Sequence, residues 1–148
     1  MHLPTGNYTI GTMDYSQGGF STRPLGLSRQ NGSTAVVVLP EGTPPPQWRI
    51  EQVSGSYDTY LLKTSDKVAV PSGDQVKGSE DGAPFEWMII RSAPHPPPVG
   101  NDAFAILVPG PNGDGWNYDS DSSVTAEKPV LLKNMAMPWY IIPARDYD

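Results

Sequence analysis

Apolar and polar residues alternate along this chain in short runs, and each run is cut off by proline, glycine or asparagine. Tyr8 and Ile10 alternate with polar neighbours, as in a strand with one buried face. Residues 20–27 predict an irregular, exposed strand. Residues 34–39, Thr-Ala-Val-Val-Val-Leu, carry the strongest strand signal. Residues 40–46 break that strand with four prolines, and residues 47–53 follow with Trp48 and Ile50 in phase. The same grammar recurs over 57–64, 67–70, 75–77 and 85–90, and again over 104–108, 116–118, 129–132 and 139–142. Helices are disfavoured throughout. Seventeen prolines and fifteen glycines are spread along the chain, and each removes a hydrogen bond or costs conformational entropy inside a helix.

The last run of each group is marked by a tryptophan two positions before an isoleucine: Trp48 and Ile50, Trp87 and Ile89, Trp139 and Ile141. An internal repeat bears on architecture before any local reading does. Three units, about 5–54, 55–93 and 101–145, each with four short strands, predict an all-β single domain over 1–148. Twelve short strands in three pseudo-repeats is the β-trefoil plan, six strands forming a barrel and six forming hairpins at its base. Closure removes exposed sheet edges. Tyr8, Tyr60 and Phe104 are expected in one layer of the core, and Trp48, Trp87 and Trp139 in another.

Composition narrows the function classes. The chain has 148 residues and no cysteine, which excludes disulfides, zinc–thiolate sites and thiol nucleophiles. The net charge is −6, with no cluster of Lys or Arg, so nucleic acid is not an expected partner. No apolar run approaches the ~20 residues of a membrane span. The first residues lack a basic stretch followed by an apolar one, so a cytoplasmic or non-classically released protein is expected.

Catalytic vocabulary is sparse. His2 and His95 are the two histidines, and there is no Gly-x-Ser-x-Gly elbow, P-loop or dinucleotide-binding glycine pattern. Residues 119–123 resemble the start of a calcium loop but place Val124 where a glycine belongs and Val130 where a glutamate belongs. Neither a metal nor a cofactor is expected. Two glycosylation sequons, at Asn7 and Asn31, have no export signal beside them.

Surface loops on a rigid scaffold remain, which is where binding proteins carry function. The loop Ser28, Arg29, Gln30, Asn31, Gly32, Ser33 is polar and precedes the stiff valine strand. An arginine presented there fits the acidic pocket of a trypsin-like protease. The same Asn-Gly pair is also a favoured hairpin turn, with Arg29 as a solvated strand end. Lys133 and Asn134 form a second exposed basic candidate. Arg23-Pro24 forms a third, in which the proline disfavours substrate-like binding.

The opening Leu3-Pro4-Thr5-Gly6-Asn7-Tyr8-Thr9-Ile10, the segment Ala35 to Pro40, Gln47-Trp48-Arg49-Ile50 and Pro138-Trp139-Tyr140-Ile141 together resemble the fungal (mushroom) β-trefoil serine protease inhibitors, over the whole chain. That resemblance implies a monomer that is not an enzyme and that blocks trypsin-like serine proteases through one exposed loop. Family members use the loop between the second and third strands, with an asparagine that matches Asn31, or the loop between the last two strands, with a lysine that matches Lys133. The first is preferred, with Arg29 and Asn31 both open as the residue that enters the specificity pocket. Two alternatives stand beside this reading. One is a carbohydrate-binding lectin that stacks sugars on Tyr15, Trp116 and Tyr118 with Asp14 and Asp119 nearby. The other is a β-trefoil cysteine protease inhibitor that enters a papain-like cleft.

Overall fold

Residues 3–14, 21–30, 32–53, 55, 58–80, 84–91, 103–110, 113–119 and 126–144 are described by the computed structural model. His2, Tyr15, Asn31 and His95 lie outside them. All regular elements among the described residues are strands: β1 (Gly6–Asp14), β2 (Ser21–Leu27), β3 (Val36–Val38), β4 (Trp48–Gln52), β5 (Thr59–Thr64), β6 (Lys67–Ser72), β7 (Gln75–Ser79), β8 (Trp87–Arg91), β9 (Ala103–Leu107), β10 (Gly115–Asn117), β11 (Lys128–Pro129), β12 (Leu131–Lys133) and β13 (Trp139–Pro143). The alternation read from the sequence reappears as burial. In β5 the side chains Tyr60, Leu62 and Thr64 are buried and those between them are not, as a period of two requires. No helix among the described residues is long and apolar enough to cross a membrane.

The strand count and connections correct the twelve-strand trefoil expectation. Among the described residues there are thirteen strands, and nine of them close a barrel in the order β1, β4, β5, β6, β7, β12, β10, β9, β13 and back to β1. Strand β8 links β5 to β9, while β2, β3 and β11 extend from β1. Pairing therefore runs across the three sequence units: β3 takes β11 as a partner, and β7 takes β12. The extra strand arises where the chain changes partner. The run 129–132 divides at Val130, whose N–H still donates to the Val36 carbonyl beside β3 at 3.1 Å, and the residues after it turn to other ladders. Its first half pairs with β3 and its second with β10 and β7.

The second correction concerns β2. The segment 20–27 read as exposed, yet Arg23 and Leu25 are fully buried. This strand lies between β1 and β3, so both of its edges are paired, and Arg23 and Leu25 point to the same buried side.

The aromatic repeat sits at the centre of the barrel. Tyr8 pairs with Trp48, Tyr60 with Trp87 and Phe104 with Trp139 across antiparallel strands. All six are buried. Each tryptophan that closes a repeat uses its indole N–H identically: Trp48 donates to the Leu25 carbonyl at 2.8 Å, Trp87 to Ala69 at 2.8 Å and Trp139 to Trp116 at 3.1 Å. Burying a large ring with its one polar atom satisfied adds apolar area without a desolvation penalty. A fourth tryptophan, Trp116, expected among the exposed aromatics, is fully buried. Its ring meets Trp87 edge-on at 5.2 Å and Trp139 at 6.4 Å.

The amino-terminal residues are clamped by two core tyrosines. The Tyr60 hydroxyl accepts the Leu3 N–H at 2.9 Å, and the Tyr8 hydroxyl donates to the Pro4 carbonyl. Burial raises both phenols above their ordinary value of 10.0. Repulsion from Tyr60 adds to the shift at Tyr8, while at Tyr60 the bond from Leu3 partly offsets burial and Asp58 adds to it. A raised folded value means that folding favours the neutral phenol. The associated stability is whole below the unfolded tyrosine value of about 10 and is lost as pH climbs through the folded value. Thermal midpoints should therefore fall above pH ~10 and fall less steeply in Tyr60→Phe. Equal slopes for the two proteins would refute this origin.

Candidate functional site

The loop over 28–33 leaves the end of β2 and returns into β3. Its base is closed by the Ser28 N–H donating to the Ala35 carbonyl at 2.8 Å. At its tip the Ser33 N–H donates to the Gln30 carbonyl at 3.2 Å, the closure of a β-turn. Gly32 adopts φ 77° in this turn, a left-handed conformation that a side chain at Cβ would disfavour. The local sequence thus specifies the bend, and Asn31 within it lies outside the described residues.

Side chains then stiffen the loop from inside. The Ser28 hydroxyl accepts the Gln30 N–H at 3.1 Å, and the Ser33 hydroxyl accepts the Ala35 N–H at 3.3 Å. Short hydroxyl side chains favour such local backbone bonds. The returning limb rests on β7, where the Gly78 N–H donates to the Thr34 carbonyl at 2.7 Å and Ala35 bridges Lys77. Gly78 also leaves room for its neighbours on this face, since a Cβ there would lie 3.0 Å from both Leu27 Cδ2 and Lys67 Cβ and push them by a few tenths of an ångström.

The strongest restraint comes from a residue that the sequence reading missed. Glu127, 98 positions from Arg29, accepts the Arg29 N–H on one carboxylate oxygen at 2.8 Å. Its other oxygen accepts the Ser28 hydroxyl at 2.7 Å. Bonds to a carboxylate are shorter and roughly twice as strong as neutral ones. No local signal marks Glu127. It follows a polar stretch and precedes a two-residue strand.

The exposed surface of the loop is what remains unused. Arg29, Gln30, Gly32 and Ser33 are exposed. Among the described residues the Arg29 guanidinium makes no ion pair. Its backbone is held while its charged end faces solvent.

The other predicted positions separate into one more loop and two corrections. Lys133 ends β12, where it pairs with Gly115, and both Lys133 and Asn134 are exposed. The Asn117 side chain donates to the Met135 carbonyl at 2.8 Å and ties this turn down. Arg23, read as a third exposed basic site, is 1% exposed and donates to the carbonyls of Leu39, Val38 and Ala126. It is unavailable to a protease cleft. Two of the three aromatics of the lectin alternative are likewise lost from the surface, because Trp116 and Tyr118 are buried; the third, Tyr15, lies outside the described residues. Among the described residues no group of three or more His, Asp or Glu side chains could hold a metal ion.

An exposed, internally bonded loop on a barrel has the form of a binding element, and the comparisons with known proteins give the family of the chain as a whole. The model of the peptidase inhibitor I66 family matches residues 1–141. The chain belongs to the peptidase inhibitor I66 family. It is an inhibitor and not an enzyme, in keeping with the sparse catalytic vocabulary of its sequence. In fold, the inhibitor is similar to a proteinase inhibitor from Coprinopsis cinerea, with a TM-score of 0.62 over 96% of this chain and 99% of that one, at 15% sequence identity. No curated protein sequence matches the inhibitor.

Proposed function

We propose that this inhibitor acts as a monomer on trypsin-like serine proteases, by inserting the loop 28–33 into the active-site cleft as a substrate would lie there. The observation that carries the reading is the split character of the loop. Its backbone is held at both limbs and by Glu127, while Arg29 stays exposed and outside any described ion pair. A loop already ordered has little conformational entropy to lose on binding, so its contacts are converted into affinity efficiently. Interfaces of this kind bury about 1,600 Å² in total and include very tight complexes. The acidic pocket of a trypsin-like enzyme supplies the opposite charge that no described ion pair gives the Arg29 guanidinium in the free inhibitor, and Asn31 offers hydrogen bonding two positions later.

Titration against trypsin, chymotrypsin and papain tests the proposal. Trypsin should be inhibited at one inhibitor per enzyme, with chymotrypsin much less affected. Inhibition of papain without trypsin would replace this reading with the cysteine protease alternative.

A further inference from the structure

Residues 126–127 hold the loop 28–33 and the strand that leads into it at two points. The buried Arg23 guanidinium, on β2, donates to the Ala126 carbonyl. The next residue, Glu127, takes the Ser28 hydroxyl and the Arg29 N–H. Arg23 is itself anchored on the other side, donating to the carbonyls of Leu39 at 3.0 Å and Val38 at 3.4 Å. The guanidinium therefore ties together the end of β3 and the chain before β11, and β11 pairs with β3. The rigid fork of an arginine suits it to holding several carbonyls at once.

We infer that Glu127, seated by Arg23, is the positioning residue that holds loop 28–33 in its protease-binding shape. The inference rests on that loop being the inhibitory one. Its chemistry is specific. The Ser28 hydroxyl donates to Glu127 and accepts from the Gln30 N–H, so one carboxylate orders three successive residues, 28, 29 and 30. Without it, the Arg29 N–H loses its acceptor and the Ser28 hydroxyl loses its orientation. The loop then samples other shapes, and only a fraction of the inhibitor is competent to bind.

Glu127→Ala, Glu127→Asp and Glu127→Gln test this in the full chain. Glu127→Ala should raise the trypsin inhibition constant by roughly ten- to a hundredfold through the reduced competent fraction. It should also speed hydrogen exchange at the Arg29 amide and cleavage within residues 28–33, with little change in Tm. Glu127→Asp, one methylene shorter, should resemble Glu127→Ala. Glu127→Gln keeps an oxygen for the Arg29 N–H and has an amide to donate to the Ser28 hydroxyl, so it should restore inhibition to within about threefold. The variant Arg29→Ala/Asn31→Ala serves as the reference. If that variant loses inhibition while Glu127→Ala inhibits as the native protein does, the positioning role is overturned and the loop reading stands. If both inhibit fully, the loop reading falls and this inference falls with it. A drop in Tm that tracks the loss of inhibition, with no rescue by Glu127→Gln, also overturns it.

Discussion

Replacing Arg29 and Asn31 together by alanine should weaken trypsin inhibition by about three orders of magnitude, equivalent to about 4 kcal/mol of binding free energy. An arginine that is solvated in the free protein and fully desolvated against an acidic pocket belongs to the class of interface residues that dominate binding, at several kcal/mol each. The loss should come mostly as faster dissociation, because truncating an anchor changes residence time more than encounter rate. The two single variants assign the roles. Whichever of Arg29→Ala or Asn31→Ala reproduces most of the loss marks the side chain that enters the specificity pocket. Thermal stability should be nearly native in Arg29→Ala, since Arg29 is exposed and no described bond uses its side chain. Undiminished inhibition by the double variant would move the site to Lys133 and Asn134, whose turn is also exposed and tied by Asn117.

Trp48→Ala should have the opposite profile, a large loss of stability with the loop itself untouched. The ring is fully buried beside its cross-strand partner Tyr8, and its N–H satisfies the Leu25 carbonyl. Removing a buried tryptophan costs about 3–5 kcal/mol, and leaving a buried carbonyl unpaired adds about 1–3 kcal/mol. For a chain of this size each kcal/mol moves Tm by roughly 2–4 °C, so the midpoint should fall by at least ten degrees or so. Trp48→Phe keeps the ring but loses the donor, and should fall between the two. Below its lowered midpoint, Trp48→Ala should still inhibit trypsin one to one. A midpoint within a few degrees of native would mean that the tryptophans are not what holds the barrel closed.

The contrast between these variants reflects how differently the two layers are encoded. The core was legible because burial on one face of a strand forces a period of two, which is written within five or six residues. Trp48, Trp87 and Trp139 could be placed inside from their spacing to Ile50, Ile89 and Ile141 alone, and all six are buried. The bend at the loop tip was legible for the same reason, since a left-handed turn position selects glycine and Gly32 occupies one. The two departures have a common form. By their own character Arg23 and Trp116 read as surface residues, a charge and an aromatic in turn-rich surroundings. Their burial depends on neighbours far away in the chain. Arg23 finds an acceptor at Ala126, 103 positions on. Trp116 fills the space between Trp87 and Tyr118's neighbour Trp139.

Strand composition, the buried aromatic pairs and the polar exposed turn therefore follow from short-range pattern, since side-chain alternation and turn geometry act over a few bonds. Strand number, partner choice and the restraint on the turn do not. Whether residues 129–132 form one strand or two depends on which ladders lie beside them. Whether a glutamate at 127 meets an amide at 29 depends on closure of the barrel, and contacts between distant segments arise only once a folded chain has brought their backbones to one place.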